Sequence, residues 1–94
     1  MFKIGYEHYI MRIGGMDMIY AEAGKRIQSL RESQHLSREK LAEMINMSAR
    51  FICDIEHGRK GFSAKTLWLL SSVFDVSCDY ILFGKEKKNC NIAG

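Results

Sequence analysis

Asn46-Met47-Ser48 is the feature that most constrains this chain. Asparagine is the commonest substitute for glycine where a chain turns through positive φ, and serine is a strong helix N-cap. One helix must therefore stop at Asn46 and the next begin after Ser48, with Met47 between them as a buried anchor. The helix before the joint is short, capped by Ser37 and carrying Leu41, Ala42 and Ile45 inward. The helix after it runs from Ser48 to about His57 with Ile52 and Ile55 inward, and Gly58 supplies the left-handed residue that ends it. Ala42 is small because the two helices approach closely at the turn. A larger side chain there would overpack the wedge, at a cost of roughly 1–3 kcal/mol.

The segments around this pair keep the helical period. Tyr20, Ala23, Ile27 and Leu30 form one stripe and predict a first helix over residues 20 to 33. Leu67, Leu70 and Phe74 form another, on a fourth helix capped by Ser63 and ended near Asp75. A fifth short helix from Cys78 to Phe83 follows Val76 and Ser77. The expected architecture is an all-α, compact five-helix domain over residues 20–84. Residues 85–94 form a polar tail. Residues 1–19 show no clean period before Gly14-Gly15, which reads as a hinge. They are expected to be a non-helical extension of uncertain order: a strand or hairpin pairing between subunits, or a disordered leader with Met16 or Met18 as the functional start.

Length and composition narrow the function classes. Ninety-four residues make one domain, too few for a multi-domain enzyme. No glycine-rich phosphate loop, no G-x-S-x-G and no clustered carboxylates are present. Three cysteines, Cys53, Cys78 and Cys90, are an odd count without a CxxC pair, which argues against a disulfide framework or a zinc ribbon and for reduced thiols. Cys53 and His57 lie four apart, but two ligands make no metal site. No cofactor is expected. Lys3, Glu7, His8 and Arg12 interrupt the apolar start, so neither a signal peptide nor a membrane span is expected. A soluble, cytoplasmic protein is the reading, and a net charge of +3 permits a polyanionic partner without requiring one.

Two short helices across a tight turn form a helix-turn-helix pattern. The opening LRES, the block LSREKLAEMINMS, the exit IEHGRK and the closing VSCDYILFG stand in the order and spacing of a known family. From Gly24 to Gly84 the chain resembles the phage-repressor-like helix-turn-helix regulators, also called Cro-like or XRE-type. The resemblance implies a sequence-specific regulator on double-stranded DNA, and an internal ion pair at the positions of Arg31 and Glu56. It departs from the family at Arg38, where a phosphate-contacting Gln is common, and near Phe62, where many relatives have a proline. The missing proline is expected to leave that loop less constrained.

Once the core is assigned, the outer face of the third helix holds Ala49, Arg50, Cys53, Asp54 and His57. Arg50 is the best candidate reader, since its planar fork matches O6 and N7 of guanine. The alternative is a pairing with Asp54 one turn later. Asp54 would orient Arg50 or accept from cytosine, Ala49 and Phe51 would touch thymine methyls, and Phe51 has an alternative place in the core. Phosphate contacts are expected from Ser37, Arg38, Lys40, Ser48, His57, Arg59 and Lys60, with Lys65 a weaker candidate. Trp68, Leu69, Val73, Tyr80, Ile81 and Phe83 exceed what one small core uses and are expected to form a homodimer interface. The same patch would alternatively hold a different protein, as in an antitoxin or anti-repressor, and Trp68 and Tyr80 have the further alternative of ordinary core. With no second domain in the sequence, repression at a palindromic operator is expected over activation.

Overall fold

The computed structural model describes residues 2–85, with side chains from Met18 onward. Five helices follow one another without a strand among the described residues: α1 Phe2–Ser33, α2 Arg38–Met44, α3 Ala49–Glu56, α4 Ala64–Phe74 and α5 Cys78–Phe83. The four later helices fall where the sequence places them. The first does not. It is 32 residues long and passes through Gly14 and Gly15 without a break, so the expected hinge is absent and residues 2–19 are helix rather than strand, hairpin or leader. The expected tail beyond Lys85 lies outside the described residues.

Short local closures make the joints. At the α2–α3 turn, Asn46 sits at φ 59 and the Met47 N–H donates to the Ala42 carbonyl at 2.8 Å, while the Asn46 N–H donates to Glu43 at 3.2 Å. This left-handed closure satisfies carbonyls that a helix end would otherwise leave open. His35 at φ 57 ends α1 in the same way, with the Leu36 N–H on the Arg31 carbonyl, and Asp75 at φ 57 ends α4, with the Val76 N–H on Ser71. Each left-handed residue is followed by one apolar residue and then by a serine N-cap: Ser37, Ser48 and Ser77. Each hydroxyl accepts the N–H three positions on, from Lys40, Phe51 and Tyr80. Of the three intervening residues, Val76 is buried and Leu36 partly so, but Met47 is 36% exposed. Met47 is therefore not the buried anchor expected; the hydrogen bonds of the closure fix the turn without it.

The core gathers Ala23, Ile27 and Leu30 of α1, Leu41, Ala42 and Ile45 around α2, Ile52 and Ile55 of α3, and Leu70, Phe74 and Ile81. Gly24 lets α1 and α3 touch, because a Cβ there would run into the Ile55 carbonyl. Beside that contact, the Glu56 carboxylate is fully buried and accepts from the Arg31 guanidinium at 2.6 and 3.1 Å. Arg31 also donates to the Leu36 carbonyl at 2.8 Å. The Arg31 to Glu56 pairing implied by the resemblance is thus present, with Arg31 itself only 8% exposed. At the far end of the domain, Arg26 of α1 donates to the Ile81 and Leu82 carbonyls and so occupies the C-terminus of α5, where helix dipole and open carbonyls favour a cation.

Two stability predictions follow from this packing. Glu56→Gln leaves buried guanidinium charge uncompensated and should lower the unfolding free energy by about 3–5 kcal/mol in chemical denaturation, whereas Arg31→Met with Glu56→Met should regain much of the loss. Asn46→Ala should lower stability by about 1–2 kcal/mol and Asn46→Gly should not, because only the former strains the left-handed turn. Thermal melts of the two variants side by side check it.

Candidate nucleic-acid interface

The interface is built around α3, whose inner residues fix its pose and whose outer residues remain available. Ile52 and Ile55 are fully buried, while Arg50 exposes 82% of its side chain in the first turn. Ala49 beside it is partly exposed. Phe51 is half-buried against the core, so of its two expected places the structure favours the inner one. Ser37 and Ser48 are exposed at the starts of α2 and α3, with their hydroxyls engaged as caps.

Asp54 differs from expectation. The helical pattern places it on the outer face, but its side chain is only 7% exposed, so it does not offer its oxygens to a base edge. It collects cations instead. Oδ1 accepts from Arg59 Nε at 3.1 Å and lies 3.6 Å from Arg50 Nε, and Oδ2 lies 3.7 Å from Lys60 Nζ. The Arg59 hydrogen bond holds the carboxyl below the usual aspartate range against the opposing effect of burial, and the charges of Arg50, Arg59 and Lys60 add to it. Asp54 is therefore ionised at neutral pH. The two readings of Arg50, base reader and partner of Asp54, are compatible in this geometry, since the pairing uses Nε of a side chain that stays in solvent.

Arg38 has a double character. Its Nε donates to Glu56 at 2.9 Å, a hydrogen bond that raises its pKa further above the ordinary arginine value, yet a third of its side chain remains exposed at the start of α2. Nothing in the local sequence signals this contact, because the two residues are 18 apart. Lys40 is exposed and lies 3.6 Å from Glu43. His57, the C-cap of α3, is exposed, with Nδ1 2.8 Å from the Cys53 carbonyl and 3.6 Å from the Cys53 thiol. Among the described residues, no group of three His, Cys, Asp or Glu side chains is arranged to hold a metal.

The loop after α3 carries the remaining cations and is better held than its missing proline suggested. Gly58 at φ 74 and the Arg59 N–H on the Asp54 carbonyl at 2.8 Å close the helix. Arg59 and Lys60 then stand exposed, while Phe62 is buried, edge-on to Tyr20 with ring centroids 5.0 Å apart. The Tyr20 hydroxyl donates to the Phe62 carbonyl at 3.2 Å. A Cβ at Gly61 would come within 2.6 Å of the Tyr20 ring, so glycine is needed for that approach. Lys65, in the first turn of α4, is exposed.

The expected dimer surface divides. Trp68 is 62% exposed and Phe83 49%, whereas Leu69, Val73 and Tyr80 are partly buried against the core. Trp68 is thereby excluded from the core. Ile81 is fully buried within the hydrophobic core and so is a core residue rather than the interface residue expected.

This architecture has counterparts among known proteins. The Helix-turn-helix family model matches residues 27–81, more than half of the chain. An uncharacterized HTH-type transcriptional regulator of Rickettsia conorii is 35% identical over 66 residues, which cover 70% of this chain and 53% of that protein. The chain thus spans about half the length of that curated relative. Among solved structures, the P22 c2 repressor protein in complex with a synthetic operator is similar with a TM-score of 0.65 at 27% identity, over 67% of this chain and 96% of that one. The restriction-modification controller protein C.AhdI of Aeromonas hydrophila has a TM-score of 0.62 at 22% identity, over 66% of this chain and 94% of its own. The clp gene regulator ClgR of Corynebacterium glutamicum reaches 0.64 at 23% identity, over 68% of each chain. These last two likenesses concern the fold alone. No helix among the described residues is long and apolar enough to cross a membrane. With both helices of the turn inside the matched segment, the chain belongs to the helix-turn-helix family of DNA-binding transcriptional regulators, in its phage-repressor-like branch.

Proposed function

We propose that this protein is a repressor that binds a palindromic operator in double-stranded DNA as a homodimer, with α3 in the major groove. The observation that carries the proposal is the arrangement around α3: an exposed Arg50 in its first turn, with Arg38 to one side and Arg59 and Lys60 past its end, all linked to the helix through Asp54 and Glu56. An arginine fork at a helix start suits guanine, and cations around it suit the phosphates that fix register. The P22 c2 repressor protein, seen with an operator, supports the same use of the scaffold. Ala49 takes the neighbouring base contact. Arg38, Arg59 and Lys60 are the phosphate clamps, and Ser37, Lys40, Ser48 and His57 add contacts at the edge.

The DNA-binding unit is residues 20–84, and the working compartment is the cytoplasm. Trp68 and Phe83, with the exposed parts of Leu69, Val73 and Tyr80, form the surface that pairs two subunits and sets two α3 helices about one DNA turn apart, roughly 34–36 Å. Repression follows from occupancy: a protein seated in the groove over a promoter excludes polymerase without needing any further contact.

Selection from a random duplex pool at near-physiological salt tests the reading. A palindromic motif is expected for the wild type, and Arg50→Ala should lose one guanine of each half-site, a discrimination of about 1–3 kcal/mol. No enrichment by the wild type overturns the proposal. Replacing Arg38, Arg59 or Lys60 singly should weaken binding to every duplex and reduce the salt slope by nearly one unit each. Concentration-dependent mass should show a dimer that Trp68→Glu dissociates; a wild-type monomer at high concentration removes the dimer.

A further inference from the structure

The Asp54 carboxylate joins two functions that the DNA-binding reading treats as separate, and the inference rests on that reading. Its side chain is 7% exposed, yet its three cationic neighbours all reach solvent, Arg50 by 82%, Arg59 by 55% and Lys60 by 58% of their side chains. Arg50 approaches from the first turn of α3, and Arg59 and Lys60 approach from the loop past its end, so one buried charge serves both ends of the helix. Both arginine contacts converge on a single oxygen, Oδ1.

A buried carboxylate is strongly destabilised when its partners are withdrawn. Arg59 and Lys60 are the groups that DNA phosphates would draw away. Arg50 then becomes the cation left to compensate Asp54, and its Nε already lies 3.6 Å from the shared oxygen. We infer that Asp54 is a positioning residue that couples the phosphate clamp to the base reader: engagement of Arg59 and Lys60 by the backbone strengthens the hold of Asp54 on Arg50 and sets its guanidinium in one pose at the base edge. Phosphate contact, which carries no sequence information of its own, thereby sharpens sequence discrimination.

The coupling has a signature that a merely structural aspartate lacks, because Asp54→Asn moves two readouts in opposite directions. It removes a negative charge beside the phosphates, which strengthens non-specific binding, and it frees Arg50, which weakens discrimination. The experiment uses the full chain and measures Kd at fixed salt on three duplexes: one recovered by the wild type from a random pool, the same duplex with the Arg50-dependent base pair replaced, and a scrambled duplex of equal length and composition. Asp54→Asn is expected to bind the scrambled duplex several-fold more tightly and to lose about tenfold of the discrimination at the replaced pair, a factor within the range of one bidentate contact. Unchanged discrimination, or parallel weakening on all three duplexes, overturns the inference. A wild type that discriminates none of the duplexes overturns the DNA reading as well, which separates the two failures.

If Asp54→Asn melts below the assay temperature, a cycle built on exposed residues decides instead. Arg50→Ala and Arg59→Gln, singly and together, should be non-additive in Kd for the recovered duplex by about threefold or more, the behaviour of residues sharing a partner. Additive effects overturn the coupling.

Discussion

The pose of α3 depends on the buried Glu56 carboxylate. It takes two hydrogen bonds from Arg31 of α1 and one from Arg38 of α2, so a single acidic group on α3 ties these three helices together. Buried ion pairs add little net stability over an apolar replacement of equal shape, since desolvation offsets their attraction. What this one contributes is geometric. An apolar contact tolerates sliding, but a carboxylate engaged by one guanidinium at two oxygens fixes both distance and rotation. Arg31 extends the same constraint to the α1–α2 joint through the Leu36 carbonyl.

Around that tie, each joint is closed by its own residues. The recurring order of a left-handed residue, an apolar residue and a serine cap, at His35-Leu36-Ser37, Asn46-Met47-Ser48 and Asp75-Val76-Ser77, ends one helix and starts the next within three positions. The closures do not demand burial of the middle residue, as Met47 shows. Direction is set locally by hydrogen bonds, and the core then fills the space those directions enclose.

How far the sequence reveals this depends on the range of each interaction. Helix ends, caps and inward stripes rest on neighbours within one or two turns, so Leu41, Ile45, Ile52 and Ile55 are legible as core and Ser37, Ser48 and Ser63 as caps. The pairing of Arg50 with Asp54 is legible for the same reason, being one helical turn. The burial of Asp54 is not, because it follows from Arg59 and Lys60 folding back past Gly58. The Tyr20 lock on Phe62 spans 42 residues and leaves no local trace; a lost proline suggested looseness where an aromatic pair supplies the restraint. Gly14-Gly15 failed as a hinge signal because glycine weakens a helix without forbidding it. The first helix runs through both.

α3 divides its residues between two duties that barely overlap. Ile52, Ile55 and Glu56 are buried and hold the helix in the domain, while Ala49 is partly exposed and Arg50 largely so. On the proposed reading, in which Ala49 and Arg50 meet the bases, new operator preferences are reachable by single substitutions at these two positions, so that a lineage built on this domain can exchange targets stepwise. On the same reading Asp54 marks the boundary of that freedom: a replacement for Arg50 that carries no positive charge gives up the ion pair with the buried carboxylate, which biases the accessible repertoire toward cationic readers and hence toward guanine.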